Sequence, residues 1–575
     1  MVSTMRGGFN LILISFLYFA TSVATQDANI TIPLYKPITY DNKTIYGSFI
    51  TLNKESAVHV NFSYVGDKSL YFIVFQAHSH LLNISLTMFD KGTSKAIGTN
   101  VGFVSFTEDI GTLQIINPHK NVTVRVYIAV HGYNVEDPLP GGCNMEFQQI
   151  YIFPYLYVQT LSDYIVVEAA AASAPATDRT CETPMLSPYL NLTFYMMYLP
   201  ELNFYPDPYF TGIQKMMTLK DIVKYGTVIP YNSWPATRRI LSAYPGTGAI
   251  YTVVATKRSP ADNKTSYSVY VPSYSYGCTD FADEGCEMID DGLSQLLCAA
   301  LMFIGVFICF FGHRFFKTEM FFAGFFSGVI ITYILIALIT VVDKPALLAA
   351  SVVSGVFFGA IWWLFWWLYG IPVIAVLLPS LNLGFLLASI FYYRLPGNIV
   401  YLEWDFNFWS LFVLVMMLTA LAVVSVSYAA NILCCAVLGG FATVLSIDYY
   451  MGSNLKFIII NVIRRATVPH FNKAFVAAPD SQWRDVSIEF MWLILATLGF
   501  LFQHWYNRGR PPFPPPPRAV RPTMAEPVAT QSYGTLSSYF QRRPTNQQNT
   551  GDGTTTPTIT PAGSRVYTER TGLLA

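Results

Sequence analysis

Asparagine carries the most repeated chemical signal in this 575-residue chain. Asn-x-Ser/Thr triplets stand at Asn29, Asn42, Asn61, Asn83, Asn121, Asn191 and Asn263, and none follows residue 265. Such a triplet is an acceptor for N-linked glycan, and seven confined to one segment mark that segment as lumenal or extracellular. The same segment holds four of the eight cysteines, Cys143, Cys181, Cys278 and Cys286. In an oxidising compartment these predict disulfides with three possible connectivities. Cys143–Cys181 and Cys278–Cys286 are preferred because they close the shorter loops. Zinc is disfavoured, since there is no CxxC and no paired histidine nearby. His78 and His80 alternate onto one strand face without a third ligand, which reads as a solvated face.

The second half offers less chemistry. His313, His470 and His504 are its only histidines, too few and too scattered for a metal hydrolase. Asn382, three residues after Pro379, is a candidate intramembrane polar group, with an interhelical hydrogen bond as its simplest role. Asp448 in SIDYY is the best acidic candidate and reads as a cap at the outer interface. Glu319 and Glu489 also fall near span ends. No catalytic set, metal or cofactor is implied, so an enzyme is not expected. Near the C-terminus, Tyr533-x-x-Leu536 and Glu569-Arg-Thr-Gly-Leu573-Leu574 have the forms of sorting signals that clathrin adaptors read. Arg508-x-x-Pro511-x-x-Pro514 fits a polyproline strip, with a spacer as its simpler role.

These residues need elements to hold them, and composition indicates which. The chain is 53% hydrophobic and 12% charged, with Lys+Arg and Asp+Glu equal at 35, so no global charge points to nucleic acid. Residues 1–25 combine Arg6, an apolar run and small residues at 22–24, the pattern of a signal peptide. Residues 26–290 alternate polar and apolar in stretches such as HVNFSYV, SLYFIVFQ and VTVRVYIAV, which predicts an all-β, sandwich-like domain. Two modules, about 26–143 and 144–290, fit its length.

From 291 to 507, apolar runs long enough to span a bilayer predict seven helices near 293–312, 318–341, 346–368, 371–393, 408–427, 430–449 and 487–506. With the β-domain outside, GHRFFK becomes the first cytosolic turn, its basic groups lying among headgroups. Trp362, Trp363, Trp366 and Trp367 read as an interfacial belt. Gly324, Gly328, Ser351, Gly355 and Gly359 form rows of small residues suited to close packing. LKFIIINVI with Arg464 and Arg465 reads as an amphipathic interfacial helix in an outer loop. Residues 508–575 should be a disordered Pro/Thr-rich cytosolic tail.

GVFICFFGHRFFKTEMFFAGFF (305–326), NILCCAVLGGFATVLSIDYY (431–450), NVIRRA (461–466), DPLPGGCN (137–144) and the terminal ERTGLL resemble the transmembrane 7 superfamily member 3 family. That resemblance implies a seven-span glycoprotein linked to cell survival and tolerance of protein-folding stress, with no established ligand and no catalytic residues to carry over. The expected function is a non-catalytic receptor-like or regulatory role with an unidentified lumenal or extracellular protein partner. The expected site is the cell surface or endosomal-lysosomal membranes. A transporter or channel using the bundle is the alternative.

Overall fold

The computed structural model describes residues 28–514 apart from internal segments, the longest being 174–189, 144–152 and 279–291, the last with only Cys286 described. The expected signal peptide, Cys181, Asn263 and the tail signals at Tyr533, Leu536, Glu569, Leu573 and Leu574 lie outside the described residues.

Alternating sequence in the first β-domain folds into two facing sheets. One orders Ala28–Leu34, Ala57–Tyr64, Leu113–Ile116, Ile84–Met88 and Lys95–Gly98; the other orders Thr44–Leu52, Val124–Tyr133, Phe72–Ser79 and Asn100–Phe106. Residues two apart share a face of a strand, so Val58 and Val60, Leu86 and Met88, and Val126, Ile128 and Val130 all enter one core. Strand Phe72–Ser79 departs from alternation: all eight of its residues are buried. Its second face is covered by the next β-domain, where Phe72 and Val74 pack with Tyr133 and Val271.

The expectation of a solvated His78 is therefore corrected. His78 is fully buried, bonded through Nδ1 to Asn100 (2.7 Å) and through Nε2 to Gln76 (3.1 Å). His131 on the neighbouring strand bonds Gln76 (2.7 Å), and Tyr209 from the second domain reaches Asn100 (2.7 Å). His80 is partly buried against the Tyr276 hydroxyl, 2.8 Å away. Lys43 is held in the same interdomain contact by Asp137 (2.7 Å) and the Tyr267 carbonyl (2.8 Å).

The second β-domain pairs Leu156–Thr160, Tyr164–Ala169 and Arg238–Ser242 in one sheet. Its other sheet orders Thr227–Ile229, Leu190–Tyr198, Ala249–Arg258 and Thr265–Val269. It is not purely β. Helices α1 (Pro206–Lys215) and α2 (Leu219–Tyr225) interrupt it, with Pro206 in the first turn of α1 and the Thr218 hydroxyl capping α2. Cys278 and Cys286 form a disulfide. Cys143 is also disulfide-bonded.

Beyond residue 291 the chain is helical: α3 (Gly292–Phe311), α4 (Phe316–Ile339), α5 (Lys344–Tyr369), α6 (Pro372–Arg394), α7 (Asp405–Val424), α8 (Ser427–Met451), α9 (Phe457–Thr467) and α10 (Trp483–Tyr506). Among the described residues six apolar segments are long enough to cross a membrane. The first, Gly292–Ile339, is 48 residues long and is broken by a 3-10 turn at Gly312–Phe315, so it contains two helices. Contacts give their directions. Tyr450 bonds the Gln295 carbonyl while Gly312 meets Cys435, making α3 antiparallel to α8. Phe316 packs on Trp366 and Thr332 bonds Ser354, making α4 antiparallel to α5. Ser380 lies beside Cys434, whereas Phe385 and Tyr392 meet Phe412 and Phe408, so α6 follows α8 and opposes α7. Arg484 reaches the Met451 carbonyl and Gln503 the Cys309 carbonyl, aligning α10 with α3. Seven long helices therefore alternate in direction, with the β-domains at one end and residue 507 at the other.

Small residues set the closest approaches. A Cβ on Gly359 would lie 2.7 Å from the Phe321 carbonyl oxygen, and one on Gly305 would lie 2.6 Å from the Thr443 nitrogen. Two expectations are corrected here. Trp362 and Trp366, four residues apart, share the α5 face that packs on α4, and Trp366 is 1% exposed rather than interfacial. His313 is 6% exposed inside the turn, while Arg314 and Lys317 point outward.

Candidate functional site

The most elaborate polar construction among the described residues is the junction between the second β-domain and the helices. It is made by residues 452–482, the connection from α8 to α10. Gly452, with φ +71°, ends α8, and the buried Asp448 carboxylate folds the turn that follows. It accepts from the Ser453 hydroxyl and, at 3.0 Å, from the Lys456 backbone N–H. Asp448 is thus a buried staple rather than a group at an open interface.

Helix α9 follows, and the reading of it as a lipid-surface helix is corrected. Phe457, Ile458, Asn461, Val462, Arg464 and Arg465 are all buried. Asn461 bonds Ser242 (2.9 Å) and Tyr244 (3.2 Å) on the β-domain. Arg464 donates to the Ala243 carbonyl (2.7 Å), the Ser242 hydroxyl (3.3 Å) and the Ser162 carbonyl (3.3 Å), and pairs with Asp163 (3.3 Å). Burial pulls its pKa below the usual value, and Asp163 works against that shift. Arg465 turns the other way, to the Leu402 and Glu403 carbonyls (2.9 and 3.1 Å) and Asp405 (3.0 Å). Two adjacent arginines thereby hold different bodies: one the β-domain, the other the connection between α6 and α7.

Phe475 completes the join by adding backbone to the β-domain. Its N–H donates to Ile240 (2.8 Å), and its carbonyl accepts from Ser242 (3.1 Å), on the strand Arg238–Ser242. A carboxyl pair closes the opposite side. Glu201 of the β-domain is buried, bonds Asn454, and meets Asp485 at the start of α10. Burial, then the hydrogen bond and charge of Asp485, push the Glu201 carboxyl up to about 8. Tyr393, Arg394, Asn454, Asp485 and Glu489 line a cleft beside this pair.

The residues singled out from sequence do not converge on one site. Asn382 sits between helices, donating to the Ala323 carbonyl (3.1 Å) and accepting from Ser327 (2.7 Å), so both ends of its amide join α6 to α4. Asn29, Asn42, Asn83, Asn121 and Asn191 are exposed, and Asn61 is half-buried. The junction itself was missed. Its signal was the pair of arginines in a predicted outer loop, where their charge disagreed with simple topology.

Two stacked β-domains followed by alternating apolar helices define a multi-pass membrane protein. Residues 39–133 and 138–281 match the models for the TM7SF3-like N-terminal and second immunoglobulin-like domains, and residues 298–504 match the TM7S3/TM198-like domain. The chain is 31% identical over 469 residues to transmembrane 7 superfamily member 3 of Homo sapiens, covering 78% of this chain and 80% of that one. It is 30% identical over 497 residues to the Mus musculus protein of the same name, covering 82% and 84%. The chain belongs to the transmembrane 7 superfamily member 3 family. Neither its immunoglobulin-like domains nor its helical domain belongs to an enzyme family.

Proposed function

We propose that the protein is a non-catalytic, receptor-like or regulatory membrane glycoprotein whose immunoglobulin-like domains bind a lumenal or extracellular protein. The observation that supports this reading is the buried junction. Arg464, Asn461 and Phe475 join the second domain to the helices as one body, so a force or conformational bias applied to the β-domains would pass directly to the bundle. Asn382, the group on which a transport pathway would have centred, is occupied by packing contacts between α6 and α4. In this reading residues 1–25 are a removed signal peptide and the asparagine triplets carry glycan. The chain end faces the cytosol, where Leu573 and Leu574 engage clathrin adaptors at the cell surface or along the endosomal-lysosomal route. A role in cell survival and folding stress accords with the family resemblance.

Proximity labelling with an enzyme fused at the N-terminal side of the β-domains tests the proposal. A reproducible lumenal or extracellular protein, retained by the glycosylated full chain and lost from a chain lacking residues 39–133 at equal surface abundance, supports it. Labelling no different from that of an unrelated seven-span glycoprotein overturns it.

A further inference from the structure

At the end of the bundle far from the β-domains, a polar cluster is closed off from solvent. Glu319 in the first turn of α4 is 4% exposed, and Asn431 on α8 is 0% exposed. Asn431 Nδ2 donates to Glu319 Oε2 (2.7 Å) and to His313 Nδ1 (3.0 Å). An amide nitrogen has two hydrogens, so both are engaged, and this orients the amide. The His313 ring also bonds the Pro512 carbonyl, placing its proton on Nε2 and leaving Nδ1 to accept. Gln503 on α10 is committed elsewhere, to the Ile308 and Cys309 carbonyls and the His313 N–H.

This arithmetic leaves two acceptors over. Glu319 Oε1 and Asn431 Oδ1 are both buried and both without a hydrogen-bond partner. Leaving an anionic oxygen and an amide oxygen unpartnered in an apolar interior is strongly unfavourable. No ion pair compensates Glu319 among the described residues; besides Asn431, its carboxyl has the Cys435 thiol, a weak donor, as a hydrogen-bond partner. The titratable groups around it are His313 on the turn, Tyr428, Cys434 and Cys435 on α8, and Cys309 on α3. The facing side chains of α5 and α6, Trp362, Trp366 and Ser380, carry no charge, and Arg314 and Lys317 point away.

We propose that Glu319 Oε1 and Asn431 Oδ1 are ligands of a monovalent-cation site, filled by a proton or by sodium. One carboxylate charge with one neutral oxygen balances a single positive charge. A divalent ion would call for more anionic ligands, and no group of three His, Cys, Asp or Glu side chains is assembled among the described residues. Phe513, just beyond α10, packs on His313 and Phe316 beside the site.

The test uses the full-length protein in lipid nanodiscs, with thermal unfolding followed in two series. One replaces choline chloride by sodium chloride at constant ionic strength and pH; the other varies pH without sodium. The wild-type midpoint should rise with sodium if sodium is the occupant, or with falling pH if a proton is. Glu319→Gln keeps the side chain's shape and removes its charge, so it should abolish the sodium dependence, or remove Glu319's share of the pH dependence and leave that of His78, His131 and Glu201 in place. Asn431→Asp, which adds a second carboxylate, should steepen the dependence that the wild type shows, and decides the matter if Glu319→Gln does not fold. Wild-type and Glu319→Gln midpoints that run parallel through both series, or an unchanged slope in Asn431→Asp, overturn the proposal.

Discussion

Arg464 shows how much a single side chain can carry. It is buried, and its four polar partners all lie on the β-domain. The Asp163 side chain is 34% exposed, so truncating Arg464 strands no buried charge; it leaves the Ala243 and Ser162 carbonyls short of a donor, at about 1–3 kcal/mol. Arg464→Ala should therefore lower the thermal midpoint of the full chain and expose residues 468–482 to protease. Arg464→Lys should rescue little, because an ammonium lacks the planar fork that reaches several acceptors at once. Glu201 predicts a pH response. Its folded pKa, about 8, lies above the ordinary carboxyl value of 4.5, so its contribution is complete below 4.5 and is lost as pH rises through 8. The junction should loosen between neutral and alkaline pH, and Glu201→Gln should flatten that dependence, as read by protease sensitivity of the same segment. None of this was legible beforehand. A basic pair beside an apolar run looks the same in sequence whether it meets headgroups or a folded domain, because the partners of Arg464 lie more than two hundred residues away and the carbonyls that hold Arg465 lie 62 and 63 residues away.

Elements were read more reliably than contacts. All seven long helices were legible from hydrophobic length alone, with boundaries shifted by a few residues, because a bilayer-spanning run leaves little freedom in its extent. The strands were legible from alternation, except where both faces are covered. His78 was misread because a strand between its own core and a second domain loses the polar face that alternation assumes. Helices α1 and α2 were missed because seven to ten residues inside strand-rich sequence carry little periodic signal. The glycine rows were legible, and they support a direct test. Gly359→Leu forces a side chain against the Phe321 carbonyl and should separate α4 from α5, at about 1–3 kcal/mol or more. Gly292→Ala meets nothing within 4 Å and serves as the control. The first variant should fall in folded yield and thermal midpoint in detergent while the second matches wild type.

At the scale of the whole molecule, two interfaces in series respond to acid in opposite senses. Burial holds His78 and His131 down to about 4, against an ordinary value of 6.5. Their contribution is present above 6.5 and is lost as pH falls from 6.5 towards 4, at roughly 1.4 kcal/mol per pH unit for each histidine. Acidification should therefore loosen the contact between the two immunoglobulin-like domains while the Glu201 contact to the bundle tightens. Hydrogen exchange corrected for intrinsic rate should show strand Phe72–Ser79 and α1 less protected at pH 5 than at pH 7. The central claim is that the second β-domain and the helices form one body, and a single cross-link tests it. Ser242 and Asn461 lie 2.9 Å apart across the junction, one on each side. In the double variant Ser242→Cys, Asn461→Cys, with a protease site introduced after Cys286, cleavage in native membranes should leave the two fragments joined until a reductant is added. Fragments that separate without reductant would show a β-domain merely tethered to the bundle, and would contradict this account.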